Sequence, residues 1–227
     1  GCYALYVWGW VAVSFSAAYL SILLVSHRPE VIRISQRWAI RFLRWAGYPI
    51  QVEGVSHLQS GGPFVLVSNH ASYLDALALL ASLPIDFVFV AKQELVERPL
   101  LRTFLQKGGH LTVDRRNPAR GLSEIEEMKR LLKDGISVLV FPEGTATRAT
   151  GIRPFTMGAF RVAVEARAPI CPIALRGTRQ ILRPGHWWPR RGEIAVHIDS
   201  MIQPQDVDWN EIIRLRDTAK AVIMQHC

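Results

Sequence analysis

Cysteine is scarce in this chain, and lysine is nearly so. The three cysteines, Cys2, Cys171 and Cys227, are odd in number and widely separated. That disfavours a disulfide framework, offers no zinc-finger spacing and makes a reducing compartment the default. Several motifs are missing too. There is no G-x-S-x-G elbow, no G-x-x-x-x-G-K-[ST] loop and no G-x-G-x-x-G fingerprint, so the sequence marks of covalent serine catalysis, P-loop nucleotide hydrolysis and Rossmann redox chemistry are absent. Acids are the minority charge: 19 Asp and Glu stand against 27 Lys and Arg, for a net of +8. Such a surface suits polyanions, whether nucleic acid, anionic lipid or phosphorylated small molecules. The cations are 22 Arg against only 5 Lys.

The most informative absence is local. Gly1 to Val25 contains no charged side chain. As a helix those residues would extend roughly 37 Å, enough for a hydrocarbon core about 30 Å thick. Tyr3, Tyr6, Trp8, Trp10 and Tyr19 add aromatics of the kind enriched at bilayer interfaces. No basic segment precedes the apolar run, which argues against a signal peptide. The chain does not open on Met, and it reads as a processed or excised piece of a longer protein.

Pro29 to Ala46 has a different character. On a helix, Arg33, Arg37, Arg41 and Arg44 fall within about 80° of one another, with Val31, Ile34, Trp38, Phe42 and Trp45 on the other side. Pro29 suits a first turn and Gly47 a stop. A basic amphipathic helix with apolar tryptophans is the pattern of a segment lying on an anionic membrane. The boundary expected is therefore residues 1–47 as N-terminal membrane-associating helices and 48–227 as a globular domain.

Beyond Gly47 the pattern alternates. Strands are expected at Phe64–Ser68, Asp86–Ala91, Leu111–Val113, Ser137–Phe141, Ile170–Leu175 and Glu193–Ile198. Helices are expected at Tyr73–Ser82, Pro99–Lys107, Arg120–Asp134, Phe155–Arg167 and Trp209–His226. This is an α/β fold with a mostly parallel sheet flanked by helices.

Polar constellations sit where strands end, which is where open α/β sheets bind ligands. His70 follows the first strand and Asp75 opens the next helix. On one continuous helix, residues five apart diverge by about 140°, so the two meet only if a turn separates them. An Asp bonded to one imidazole nitrogen frees the other as a general base. Asp75 also completes a capping box with Ser72, so from these residues alone it either orients His70 or merely starts the helix. Phe141-Pro142-Glu143-Gly144-Thr145 ends another strand, with Arg148 and Arg153 close behind. A carboxylate, a free glycine amide and arginines suit a polar head group, and a solvated turn is the alternative. Gly109 to Arg116 ends a third strand in arginines, the residue suited to bidentate phosphate contact. Ile170-Cys171-Pro172-Ile173 is by itself only a strand start.

Taken together and in order, these blocks resemble the glycerolipid acyltransferase family. His70 to Asp75 is similar to its H-x-x-x-x-D block, Gly109 to Arg115 to its G-x-x-[FI]-[IV]-[DE]-R block, and Phe141 to Thr145 to its F-P-E-G-T-R-S block. Ile170 to Ile173 is similar to [VI]-x-P-[VI], and Ala91 to Leu95 to A-K-x-E-L. The first 46 residues resemble the family's two-helix membrane motif. One departure stands out: Ala146 occupies the place of the family's Arg after E-G-T, and Arg148 lies two positions on.

The resemblance implies transfer of a fatty acyl chain, from acyl-CoA or acyl carrier protein as co-substrate, to the free hydroxyl of 1-acylglycerol-3-phosphate. It implies His70 as base and Asp75 as its partner. Arg115, Glu143, Gly144, Thr145 and Arg148 would lie on the acceptor, and Lys92 on the donor or oxyanion side. It implies no cofactor and no metal. The partners expected are a lysophospholipid, the acyl donor and a membrane at the cytoplasmic face of the inner membrane; nucleic acid is not needed to explain the charge. Arg176 to Arg191, with five arginines, no acid and Trp187-Trp188, is expected to meet membrane or CoA phosphate. Two alternatives stay open: a lysophospholipid or lyso-ornithine lipid acyltransferase, and a non-catalytic anionic-lipid-binding module.

Overall fold

A computed structural model of the chain describes residues 2–114, 121–145 and 151–227. Its strands are β1 (Ile50–Glu53), β2 (Val65–Ser68), β3 (Phe87–Lys92), β4 (Leu111–Val113), β5 (Ser137–Val140), β6 (Ile170–Arg176) and β7 (Ile194–Ile198). They form one sheet in the order β1-β7-β6-β2-β5-β3-β4. From β6 across to β4 all neighbours are parallel. β7 runs antiparallel to β6, and β1 parallels β7. The carboxyl ends of β2 to β6 therefore share one edge of the sheet.

The helices are α1 (Cys2–Leu23), α2 (Arg28–Trp45), α3 (Asp75–Ser82), α4 (Pro99–Lys107), α5 (Gly121–Lys133), α6 (Gly158–Ala166), α7 (Thr178–Ile181) and α8 (Trp209–Gln225). They cover both faces of the sheet. Leu66, Leu139 and Ile173 face a core shared with Phe42 and Leu43 of α2 and Leu79 of α3. Their strand neighbours Val65, Val67, Val138 and Ile170 face the other way, onto Leu132, Phe160, Leu215 and Ile223. Side chains alternate across a strand, and with both faces covered the central strands are apolar through their middles, with buried polar Ser68 and Ser137 only at strand ends. Each large side chain buried this way contributes about 1.5–3 kcal/mol.

β1 escapes the sequence pattern. It is a half-buried edge strand directly behind Gly47-Tyr48-Pro49, and its four residues alternate between partial burial and exposure. The apolar stripe of α2 also differs from expectation. Val31, Ile32, Ser35, Ala39, Phe42 and Leu43 are buried, while Trp38 and Trp45 are only half-buried. The stripe packs on the domain core rather than standing free, and Arg33, Arg37, Arg41 and Arg44 remain exposed.

By length and composition α1 could cross a membrane. It is nonetheless fastened to the rest of the chain along its length. The Tyr3 and Tyr6 hydroxyls donate to the Ala46 and Trp45 carbonyls at 3.0 and 2.7 Å. Trp8 Nε1 donates to the Trp187 carbonyl at 2.8 Å. At the other end Lys107 Nζ donates to the Ile22, Leu23 and Val25 carbonyls at 3.0, 2.9 and 2.9 Å. A cation on the orphan carbonyls of a helix C-terminus is the favourable polarity.

Candidate active site

β2 ends at Ser68 in the middle of the sheet, and the chain then turns through Asn69 to Leu74 before α3 begins. Asn69 holds the start of the turn. Its Nδ2 donates to the Leu175 carbonyl at 2.9 Å, and its Oδ1 accepts the Leu175 N–H at 2.7 Å. The side chain thus stitches the end of β2 to the end of β6. Ser72 Oγ donates to the Leu182 carbonyl at 2.7 Å, tying the turn to the segment after α7.

Asp75 closes the turn from the other side. It is fully buried, and its Oδ2 accepts the backbone N–H groups of Ala71 at 2.6 Å and Ser72 at 2.8 Å. The same oxygen lies 2.9 Å from His70 Nδ1. The two uses left open by the sequence are therefore both realised: the carboxylate closes the helix-entry turn and meets the imidazole. An ionised carboxylate only accepts, so Nδ1 carries the proton toward Asp75 and Nε2 keeps its lone pair. The His70 side chain is 21% exposed. Its ring stacks on Phe141 with centroids 4.2 Å apart and planes 20° apart, and Phe141 stacks in turn on Phe89 at 6.5 Å. A packed aromatic floor fixes the ring plane that Asp75 orients.

The neighbouring strand β5 leads into Phe141-Pro142-Glu143-Gly144. Pro142 sits where a β-turn favours proline. The Gly144 N–H donates to the Phe141 carbonyl at 3.0 Å. The free glycine amide expected from the sequence is thus not free; it closes the turn, and the chain leaves that turn with Gly144 at φ +85°. Glu143, buried, reaches sideways. Its Oε1 accepts the His70 N–H at 2.8 Å and its Oε2 the Arg153 N–H at 2.9 Å. Thr145 is half-buried beside it.

Lys92 ends β3 and is half-buried. It stands on the same sheet edge as His70 and Glu143, because β2, β5 and β3 are parallel neighbours. Arg115 and Arg148 lie outside the described residues. Arg176 is exposed at the end of β6. His70, Asp75 and Glu143 are thus joined by direct hydrogen bonds, whereas Lys92 shares their edge of the sheet.

Sequence reasoning missed three parts of this arrangement. The Asn69 stitch had no local signal, since its partner is 106 residues away. The Phe141 stack was legible only as a strand-end aromatic. His110, inside the Gly109 to Arg116 block, is buried, which its polar neighbours in sequence do not signal. The Phe89 N–H donates to His110 Nδ1 at 3.0 Å. Burial, reinforced by the nearby Arg28 charge, pushes this imidazole down to about 3.

In chemical terms the site offers an imidazole with one nitrogen committed and one available. It is held at the carboxyl edge of a parallel sheet by two buried carboxylates. That suits proton transfer to and from a substrate hydroxyl. Residues 49–176 match the acyltransferase family model. The chain is 30% identical over 188 residues to the 1-acyl-sn-glycerol-3-phosphate acyltransferase of Cocos nucifera, covering 82% of this chain and 60% of that protein. It is 32% identical over 177 residues to the enzyme of the same name from Limnanthes douglasii, covering 78% and 61%. It thus spans about three-fifths of the length of these relatives. In fold it is similar to the crystal structure of the 1-acyl-sn-glycerophosphate acyltransferase PlsC from Thermotoga maritima, with a TM-score of 0.81 at 21% identity over 99% of this chain and 94% of that one.

Proposed function

The chain belongs to the acyltransferase family, and on that premise we propose that it moves a fatty acyl chain from acyl-CoA or acyl carrier protein to the free hydroxyl of 1-acylglycerol-3-phosphate, giving phosphatidic acid. One observation carries the reading: the 2.9 Å contact between His70 Nδ1 and buried Asp75, which leaves Nε2 as the available base. The names of the plant relatives support the choice of acceptor.

In this reading His70 Nε2 takes the proton of the acceptor hydroxyl while that oxygen attacks the thioester carbonyl carbon. The tetrahedral intermediate collapses, the C–S bond breaks, and the imidazolium returns its proton to the departing thiolate. Positioned proton transfer of this kind contributes about 10²–10⁴-fold. Asp75 holds the tautomer and stabilises the imidazolium. Lys92 is assigned to the donor side, where an ammonium would stabilise the oxyanion. Glu143, Gly144 and Thr145 are assigned to the acceptor head group, with Glu143 also supporting the His70 backbone. Arg115 and Arg148 are assigned to the phosphate, for which guanidinium geometry is well suited.

The acceptor is a bilayer lipid and the donor is water-soluble. The membrane part of the proposal rests on α1, whose Leu5, Val13 and Leu20 are exposed while its polar latches hold it to the domain. That arrangement favours α1 lying in one leaflet, at the cytoplasmic face of the inner membrane where the donor is found. Trp187 and Trp188, both exposed, would enter the same interface.

The test is an acceptor panel: lysophosphatidate, lysophosphatidylethanolamine and lyso-ornithine lipid, each offered with acyl-CoA and with acyl carrier protein. Preference for lysophosphatidate is expected. Selective use of an acceptor lacking the terminal phosphate overturns the choice of substrate.

A further inference from the structure

The end of α8 meets β7 in a second titratable cluster, which shares no hydrogen bond with His70, Asp75 or Glu143. His197 comes from β7, Asp199 from the residue after it, and His226 from the cap of α8. Their ligand atoms lie within 4.8 Å of one another. His197 Nε2 and His226 Nε2 each stand 3.6 Å from the same oxygen, Asp199 Oδ2.

We propose that His197, Asp199 and His226 form a binding site for a divalent transition-metal ion of the zinc class, clipping the carboxyl end of α8 to β7. Four features support it. First, two ligands about 2.1 Å from a tetrahedral ion are about 3.4 Å apart, and the two observed N···O separations are 3.6 Å. Second, His197 Nδ1 lies 3.1 Å from Glu53 Oε2. Donation there leaves the Nε2 lone pair for an ion, the arrangement in which a carboxylate orients a ligating histidine. Third, Asp199 Oδ1 is occupied by the Ser200 N–H at 2.6 Å and the Ser200 hydroxyl at 3.1 Å. That fixes the carboxylate rotamer and presents Oδ2 to the two histidines. Fourth, two imidazoles and one carboxylate are a donor set suited to zinc rather than to calcium or magnesium.

One adjustment is required. The His197 and His226 rings are stacked, with centroids 3.6 Å apart and planes 16° apart. They must fan open for both lone pairs to converge. His226, with a 34% exposed side chain at a helix end, is free to turn. All three ligand side chains are a quarter to a third exposed (27%, 25% and 34%), so a fourth position faces water. The sequence concealed the site because the two histidines lie 29 positions apart, outside any short motif spacing.

The experiment is titration of the chelator-treated full chain with zinc alone, followed by calorimetry and by competition with a chromophoric chelator. One equivalent should bind saturably at neutral pH and raise the melting temperature. His197→Ala and His226→Ala should each weaken binding by at least about tenfold and abolish that thermal shift. Glu53→Gln should weaken it by about 10–100-fold, the range seen for outer carboxylates. Each variant's metal-free melting curve separates a folding defect from a lost ligand. Cobalt in place of zinc should give visible absorption typical of a tetrahedral site in the wild type and lose it in His226→Ala. Absence of saturable binding, or equal affinity in wild type, His197→Ala and His226→Ala, overturns the proposal. These readouts do not depend on acyl transfer.

Discussion

Glu143 accepts the backbone N–H of His70 at 2.8 Å, so the carboxylate at the end of β5 holds the residue at the end of β2. Its other oxygen holds Arg153. Removing the side chain strands both amides and frees the His70 backbone. Displacement of a reacting group by about 1 Å costs on the order of 10²-fold in rate. We predict that Glu143→Ala lowers kcat by about that factor, with Glu143→Gln in between because it keeps one acceptor oxygen. Steady-state kinetics on variants with matched melting curves checks this. A Glu143→Ala enzyme with wild-type kcat would show that the link is dispensable.

Asn69 is expected to act on stability first. Replacing it by Ala leaves the Leu175 N–H without its Asn69 acceptor and the buried carbonyl with only the long Cys227 Sγ contact at 3.9 Å. Each such loss costs about 1–3 kcal/mol. Asn69→Ala should therefore lower unfolding free energy by about 2–5 kcal/mol in urea titrations. Asn69→Asp keeps the acceptor for the Leu175 N–H, and once protonated it also offers a donor to the carbonyl, so it should cost less than Asn69→Ala, and least at low pH.

His110 gives a pH dependence whose sign can be worked out. Burial first, then the Arg28 charge, pushes its folded-state value down to about 3 from an ordinary 6.5. Below about pH 6.5 the unfolded chain takes up a proton that the folded chain refuses. Stability from this group is thus fully present above that pH and falls as pH drops toward about 3, at up to about 1.4 kcal/mol per pH unit. Urea midpoints measured from pH 7 to pH 4 should show this slope, and His110→Gln should flatten it.

How much of this was legible beforehand follows the physics. Buried strands such as Val65–Ser68 and Ser137–Val140 announce themselves because both sheet faces are covered and each carries an unbroken run of three apolar residues. The dyad at His70 and Asp75 was legible because its turn, its cap and its chemistry all lie within six residues. β1 was not, since an edge strand of four residues carries only a weak alternation. The α2 stripe was misplaced because helical spacing tells which residues align but not which neighbour covers them. Lys107 on the α1 carbonyls and Asn69 on Leu175 were invisible because long-range partners leave no local pattern.

The Lys107 latch makes its own prediction. Lys107→Met removes three hydrogen bonds to the carbonyl end of α1. Amide exchange in the last turn of α1 should rise by about fivefold or more, since losing even one such bond removes about 1 kcal/mol. Exchange in β2 and β5 should stay unchanged. Uniform acceleration across the chain would mean that the latch supports the whole fold instead.

The most direct test is acyl transfer from acyl-CoA to lysophosphatidate by wild type, His70→Ala and Asp75→Asn, each with its melting curve. The account predicts a loss of about 10²–10⁴-fold for His70→Ala, and a large loss for Asp75→Asn in protein that remains folded. A folded His70→Ala chain that transfers acyl groups at the wild-type rate would contradict it.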